Sequence, residues 1–125
     1  MPLTHMVNHQ RREMYATAVG AITIDDIRTH LTEERRDGGL SYPELIEASG
    51  ATVAFSTEGV LNTVEILRAL SLEGTLGPTA IVVGNEAAYG MVRMLETHLD
   101  GICQVRPFRT LEEAQSWLSN IPALS

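Results

Sequence analysis

The sequence contains no lysine, so all nine of its basic residues are arginine. That absence excludes a Schiff-base nucleophile, a P-loop lysine and a kinase-type lysine–glutamate pair. Arginine stays protonated near neutrality, so it clamps anions but makes a poor general base. A lone cysteine, Cys103, excludes an internal disulfide and any multi-cysteine zinc site. Apolar runs are short, far below bilayer-spanning length, and Met1–Tyr15 mixes His, Asn, Gln and Arg without a signal-peptide core. A cytoplasmic location without membrane insertion is the expectation. Positive charge is scarce: 9 basic residues against 16 acidic ones leave a net charge of −7. The doublets Arg11-Arg12 and Arg35-Arg36 both have acids beside them, so no clustered footprint for phosphates exists and nucleic acid is not an expected partner.

What is present describes an ordinary globular chain. The 125 residues, 44% hydrophobic and 20% charged, fit one domain over 1–125 that can bury a core without staples. Leu3–His9 and Met14–Val19 read as a strand pair around the polar Gln10–Glu13 turn. Thr23-Ile24-Asp25-Asp26 is a capping-box start, and Ile24, Ile27 and Leu31 mark the apolar stripe of a helix that Gly38-Gly39 ends. Leu45–Ala48 and Thr52–Phe55 read as short strand-like runs split by Ser49-Gly50. Ser56 or Thr57 then caps a helix to about Glu73, apolar over more than half its circumference, which implies deep burial or a flank against another subunit. Ala80-Ile81-Val82-Val83 does not alternate, as suits a central strand covered on both faces. Asn85 caps a helix to Leu99, Ile102–Phe108 is a strand, and Thr110-Leu111-Glu112-Glu113 opens a last helix that Ile121 and Pro122 end. The predicted class is α/β: an N-terminal antiparallel hairpin leads into a mixed, largely parallel sheet of about five strands with about four helices.

Four stretches in this order resemble the SpoIIAA-like family, relatives of the STAS domain of anti-sigma-factor antagonists. They are Gly20–Thr23 with Asp25–Ile27, Glu44–Ala48, Ala80–Met94, and Phe108–Ala114 with Trp117-Leu118. The resemblance spans nearly the whole chain. It implies a non-catalytic regulatory or protein-interaction module, or else a carrier or sensor of a small lipophilic or amphipathic ligand. In the phosphorylated antagonists the switch serine opens the helix after the middle strand, in an Asp-Ser-Ser-Gly-like turn. The matching stretch here is Phe55-Ser56-Thr57-Glu58-Gly59, with Phe55 where the acid stands, so Ser56 and Thr57 are the phosphorylation candidates.

Ligands of such sheets gather beyond the carboxyl ends of the parallel strands. Asn85, Thr110, Arg106 and Arg109 fall there and form a candidate anion or ligand site, although Ser56, Asn85 and Thr110 are equally ordinary helix caps worth about 1 kcal/mol each. Ile66 and Leu70, with Tyr89, Gly90 and Arg93, form a candidate dimer or partner face, with Tyr89 stacked on Arg93 one turn along and something close to the Gly90 backbone. His98 falls with Met91, Met94 and Leu95 on an apolar arc and reads as a hydrogen-bonded core residue; Cys103 reads as half-buried packing. His5 and His9 share a strand face but lack a third ligand, so no metal and no cofactor is expected. No nucleophile–base constellation is visible, and the chain is not expected to be an enzyme.

Overall fold

The computed structural model describes residues 2–121, leaving Met1 and the segment with Pro122 outside the description. Strands β1 (Leu3–Asn8) and β2 (Glu13–Ile22) form the hairpin, followed by α1 (Ile24–Arg36), β3 (Glu44–Val53), α2 (Thr57–Ser71), β4 (Thr79–Val83), α3 (Glu86–His98), β5 (Val105–Phe108) and α4 (Leu111–Asn120). The five strands lie in the order β1-β2-β3-β4-β5; β1 runs antiparallel to β2, and the other neighbours are parallel. This is the element order and mixed sheet that the sequence predicts.

Because each parallel strand adds beside the previous one, right-handed crossovers put α1, α2 and α3 on one face of the sheet. Among the described residues only α4 packs on the other, against β4, β5 and part of β3. Strand β4 is therefore covered on both sides: Ala80 and Val82 pack with Ala114 and Trp117 of α4, whereas Ile81 faces the three-helix layer. No helix among the described residues covers the outer face of β1 and β2, and Met6, Tyr15 and Val19 are exposed there at 73%, 42% and 59%. Helix α2 is flanked by α1 and α3, so the breadth of its apolar surface comes from two helix neighbours within the chain.

Three local readings need correction. The two predicted runs around Ser49-Gly50 are one strand: pairing advances from Thr17 to Val19 on β2 but from Glu47 to Gly50 on β3, a bulge that absorbs the extra residue. The bulge lets Ala48 and Ala51 both enter the core under the helices. Strand β5 starts at Val105 rather than Ile102, because Gly101 turns at φ +83 and the amides of Ile102 and Cys103 donate back to the Leu99 carbonyl. His98 is exposed, being the last residue of α3, and the neighbouring Leu99 takes the fully buried place.

Two glycines behave oppositely. A Cβ on Gly84 would collide with the backbone carbonyl of Ser49, whereas a Cβ on Gly90 meets nothing within 4 Å. No part of the described chain therefore approaches the Gly90 backbone. Gly84→Ala should lower stability by roughly 2 kcal/mol or more, and Gly90→Ala should raise it by about 0.5–1 kcal/mol, both read from urea unfolding. A destabilised Gly90→Ala would contradict this account of an open helix surface.

Candidate functional site

The polar centre of the three-helix layer is built by α1 and β3. The N-cap of α1 is fixed by a reciprocal box in which the Asp26 amide donates to Thr23 Oγ1 and the Thr23 amide donates to Asp26 Oδ2. With the helix anchored there, Ile27, His30, Leu31 and Glu34 fall at the three- and four-residue spacings that turn one stripe inward. His30 and Glu34 are 5% and 2% exposed. Across from them Glu44, the first residue of β3, is 5% exposed. Its amide is held by the Pro78 carbonyl, so the side chain enters the layer from a fixed strand.

His30 Nε2 lies 3.1 Å from Glu44 Oε2 and 2.8 Å from Glu34 Oε1. The hydrogen bond goes to Glu44, which leaves Glu34 Oε1 buried without a hydrogen-bond partner. His30 Nδ1 is likewise buried and unpartnered. The His5 ring stands edge-on to the His30 ring at 5.3 Å, and itself bonds Asp37 through Nε2 at 2.9 Å, with Glu33 at 3.9 Å. Those contacts hold the Asp37 carboxyl below its usual value, chiefly through the His5 hydrogen bond.

Burial pushes the His30 pKa down, but the Glu34 and Glu44 carboxyl groups against its ring outweigh that and raise it to about 10. Burial pushes Glu34 up, opposed by the His30 contact and reinforced by the Glu44 charge, to about 8. Both shifts favour the protonated forms of His30 and Glu34 at neutral pH.

Next to this polar centre lie two cavities that share Leu3, Ile27, Ile46, Thr63, Ile81 and Leu95 as walls. One, of about 130 Å³, lies toward the carboxyl ends of the strands and is apolar, with Ala18, Ala48, Phe55 and Met91 also lining it. The other, of about 140 Å³, borders His30, Glu34 and Glu44. On the opposite face of the sheet, a groove of about 820 Å³ runs between the hairpin and α4, with Met6, Tyr15, Leu45 and Leu118 among its walls.

The residues singled out from the sequence are spread over the molecule. Ser56 and Thr57 are exposed at the start of α2, and the Ser56 side chain makes no capping bond. Asn85 caps α3 by accepting from the Ala88 amide at 2.8 Å and donates to the Ala51 carbonyl at 3.3 Å. Thr110 caps α4 by accepting from the Glu113 amide at 3.2 Å. Arg109 is engaged by Glu86 at 3.0 Å and lies 3.8 Å from the centre of the Tyr89 ring, so Tyr89 stacks with Arg109 rather than with Arg93. Arg93 instead pairs with Glu96 at 3.1 Å, and Arg106 sits over Phe108 at 5.9 Å. Ile66 and Leu70 are half-buried on α2, and Gly90 is exposed. His5 and His9 go to different partners, Asp37 and Tyr42. Cys103 is half-buried, and burial pushes its thiol up to about 11. Among the described residues no serine, threonine or cysteine is hydrogen-bonded to a histidine, and no helix is long and apolar enough to cross a membrane.

The His30–Glu34–Glu44 cluster was missed by the sequence reading, although a signal existed. His30 follows Ile27 by three and Glu34 follows Leu31 by three, which keeps both polar residues on the apolar stripe.

No family model matches the chain, and no curated protein matches it. Among solved structures it is similar to an uncharacterized protein of the DUF3478 family with a SpoIIAA-like fold from Shewanella loihica PV-4. That similarity covers 93% of both chains at a TM-score of 0.57 and 16% identity. At that identity the likeness defines a class by fold, the SpoIIAA-like architecture, and carries no activity with it.

The protonation pattern has a sign. Between their unfolded values of 4.5 and 6.5 and their folded values near 8 and 10, Glu34 and His30 hold more protons folded than unfolded. The stability they contribute is present in full below the unfolded values and is lost as pH rises, most steeply between 6.5 and 8. Glu44, Glu34 and His5 are the titratable side chains facing His30, with Glu33 and Asp37 behind His5. For chelator-treated protein, the urea midpoint should fall from about pH 6 to about pH 9, and Glu34→Gln should flatten the lower part of that fall. A midpoint that rises over this range would contradict the assignment.

Proposed function

We propose that this chain is a non-catalytic regulatory or protein-interaction module of the SpoIIAA-like, STAS-like type. The observation that carries the reading is the uncovered half of the sheet. Met6 and Tyr15 are paired neighbours on β1 and β2, both exposed, beside an open groove that α4 borders but does not fill. Exposed apolar side chains grouped along a groove favour a macromolecular contact. A partner surface or second copy on this face or on the Ile66, Leu70, Tyr89, Gly90, Arg93 flank would act without any chemistry on the partner. Ser56 and Thr57 suit modification: both are exposed at a helix N-terminus, where added phosphate is electrostatically favourable.

The test is hydrogen–deuterium exchange of the chain with and without extract of its own host. Exchange should slow in Leu3–Asn8 or in Ser56–Val64 when extract is added, and a folded Met6→Asp, Tyr15→Asp variant should lose the protection on β1. Unchanged exchange in both segments would overturn the reading.

A second reading, a carrier or sensor of a small lipophilic or amphipathic ligand, is supported by the apolar cavity of about 130 Å³ beneath α2 and α3. That volume is near the size of an apolar cavity that stays dry and accepts a benzene-sized guest, about 150 Å³. Native mass spectrometry of host-purified protein should then show extra mass that is lost on denaturation, and Ala48→Ile should abolish it while thermal stability is kept. A chain of apo mass from fresh host material would count against the carrier.

A further inference from the structure

Burying three ionisable groups is a poor way to gain stability, since well-packed apolar residues of equal volume usually do as well or better. The cluster between α1 and β3 therefore calls for a use. We propose that His30, Glu34 and Glu44 form a binding site for one divalent first-row transition-metal ion of the zinc class, with His30 Nε2 and one oxygen from each carboxylate as ligands.

Three independent features support it. The first is geometry: the three donor atoms lie within 4.8 Å of one another. Nε2 is 2.8 Å from a Glu34 oxygen and 3.1 Å from a Glu44 oxygen. Tetrahedral coordination with bonds near 2.1 Å sets its donors about 3.4 Å apart, so each carboxylate oxygen must move away from Nε2 by well under 1 Å. The second is an unspent ligand atom. Glu34 is 2% exposed, and its Oε1 faces the cluster without a hydrogen bond. A buried carboxyl oxygen that accepts no hydrogen bond gains a partner from a bound cation. The third is room and charge. The adjoining cavity of about 140 Å³ has space for a water as a further ligand. The two carboxylates also balance the charge of one divalent ion, so filling the site buries no net charge.

The donor set narrows the ion. One imidazole nitrogen and two carboxylate oxygens suit zinc, manganese, cobalt or ferrous iron, whereas cuprous copper prefers sulfur and calcium wants six or more oxygens. A site shared by a helix and a strand also makes bound metal a brace between α1 and β3, the two elements that frame the neighbouring cavity.

The experiment is a calorimetric titration of zinc into the full, chelator-treated chain. One ion per chain should bind, with the melting temperature rising as zinc is added. Glu34→Gln keeps the shape of the protonated side chain and should weaken binding by more than about 100-fold, as should Glu44→Gln. His5→Gln, which removes the neighbouring imidazole with its Glu33 and Asp37 contacts, should leave affinity within about twofold. Cobalt(II) supplies a readout independent of the variants: bound to the wild-type chain it should show the intense visible absorption of a tetrahedral centre. Absence of stoichiometric zinc binding, unchanged affinity in a folded Glu34→Gln protein, or a cobalt spectrum like that of the hydrated ion would each overturn the proposal.

Discussion

Strand order is the constraint from which the rest of this structure follows. Strands that add one beside the next, joined by right-handed crossovers, send every connecting helix to the same side. Helices α1, α2 and α3 therefore crowd one face, and the chain has only α4 left for the other. The crowded face becomes a thick layer whose middle helix touches two others and whose core contains small cavities. The other face stays bare over β1 and β2. The apolar cavity under the helices and the groove beside the bare strands are both consequences of that asymmetry.

Within the crowded layer, the His30–Glu34–Glu44 cluster is a local exception to apolar packing. Elsewhere the layer is mostly aliphatic, as in the cluster of Ala18, Ile22, Ala48 and Ala51. Here a histidine and two glutamates are held from both sides by elements that cannot easily move away. Breaking such a set by removing one member leaves a buried charge unpaired and costs about 3–5 kcal/mol. The cluster thus ties the register of α1 on the sheet to the start of β3, whatever else it binds.

Much of the architecture was legible in the sequence because it rests on local chemistry. The Thr23 box, the Thr110 and Asn85 caps and the unbroken Ala80–Val83 run each announce an element within a few residues. What escaped depended on contacts far apart in the chain. The bulge that makes one strand of Glu44–Val53 comes from pairing with β2, and the Arg109–Tyr89 stack joins α3 to the turn between β5 and α4. His30 and Glu34 were not singled out, although their spacing placed them with Ile27 and Leu31. Glu44 meets them only after β3 has docked, fourteen residues beyond His30. The distal half of such a site has no local signature.

The charge state of that cluster is open to direct measurement. The nitrogen-15 resonances of the His30 ring, recorded on chelator-treated protein near pH 8, report whether both ring nitrogens carry protons. An imidazolium is expected there, well above the pH at which an exposed histidine has lost its proton. A neutral ring with one bare nitrogen at that pH would contradict that charge state.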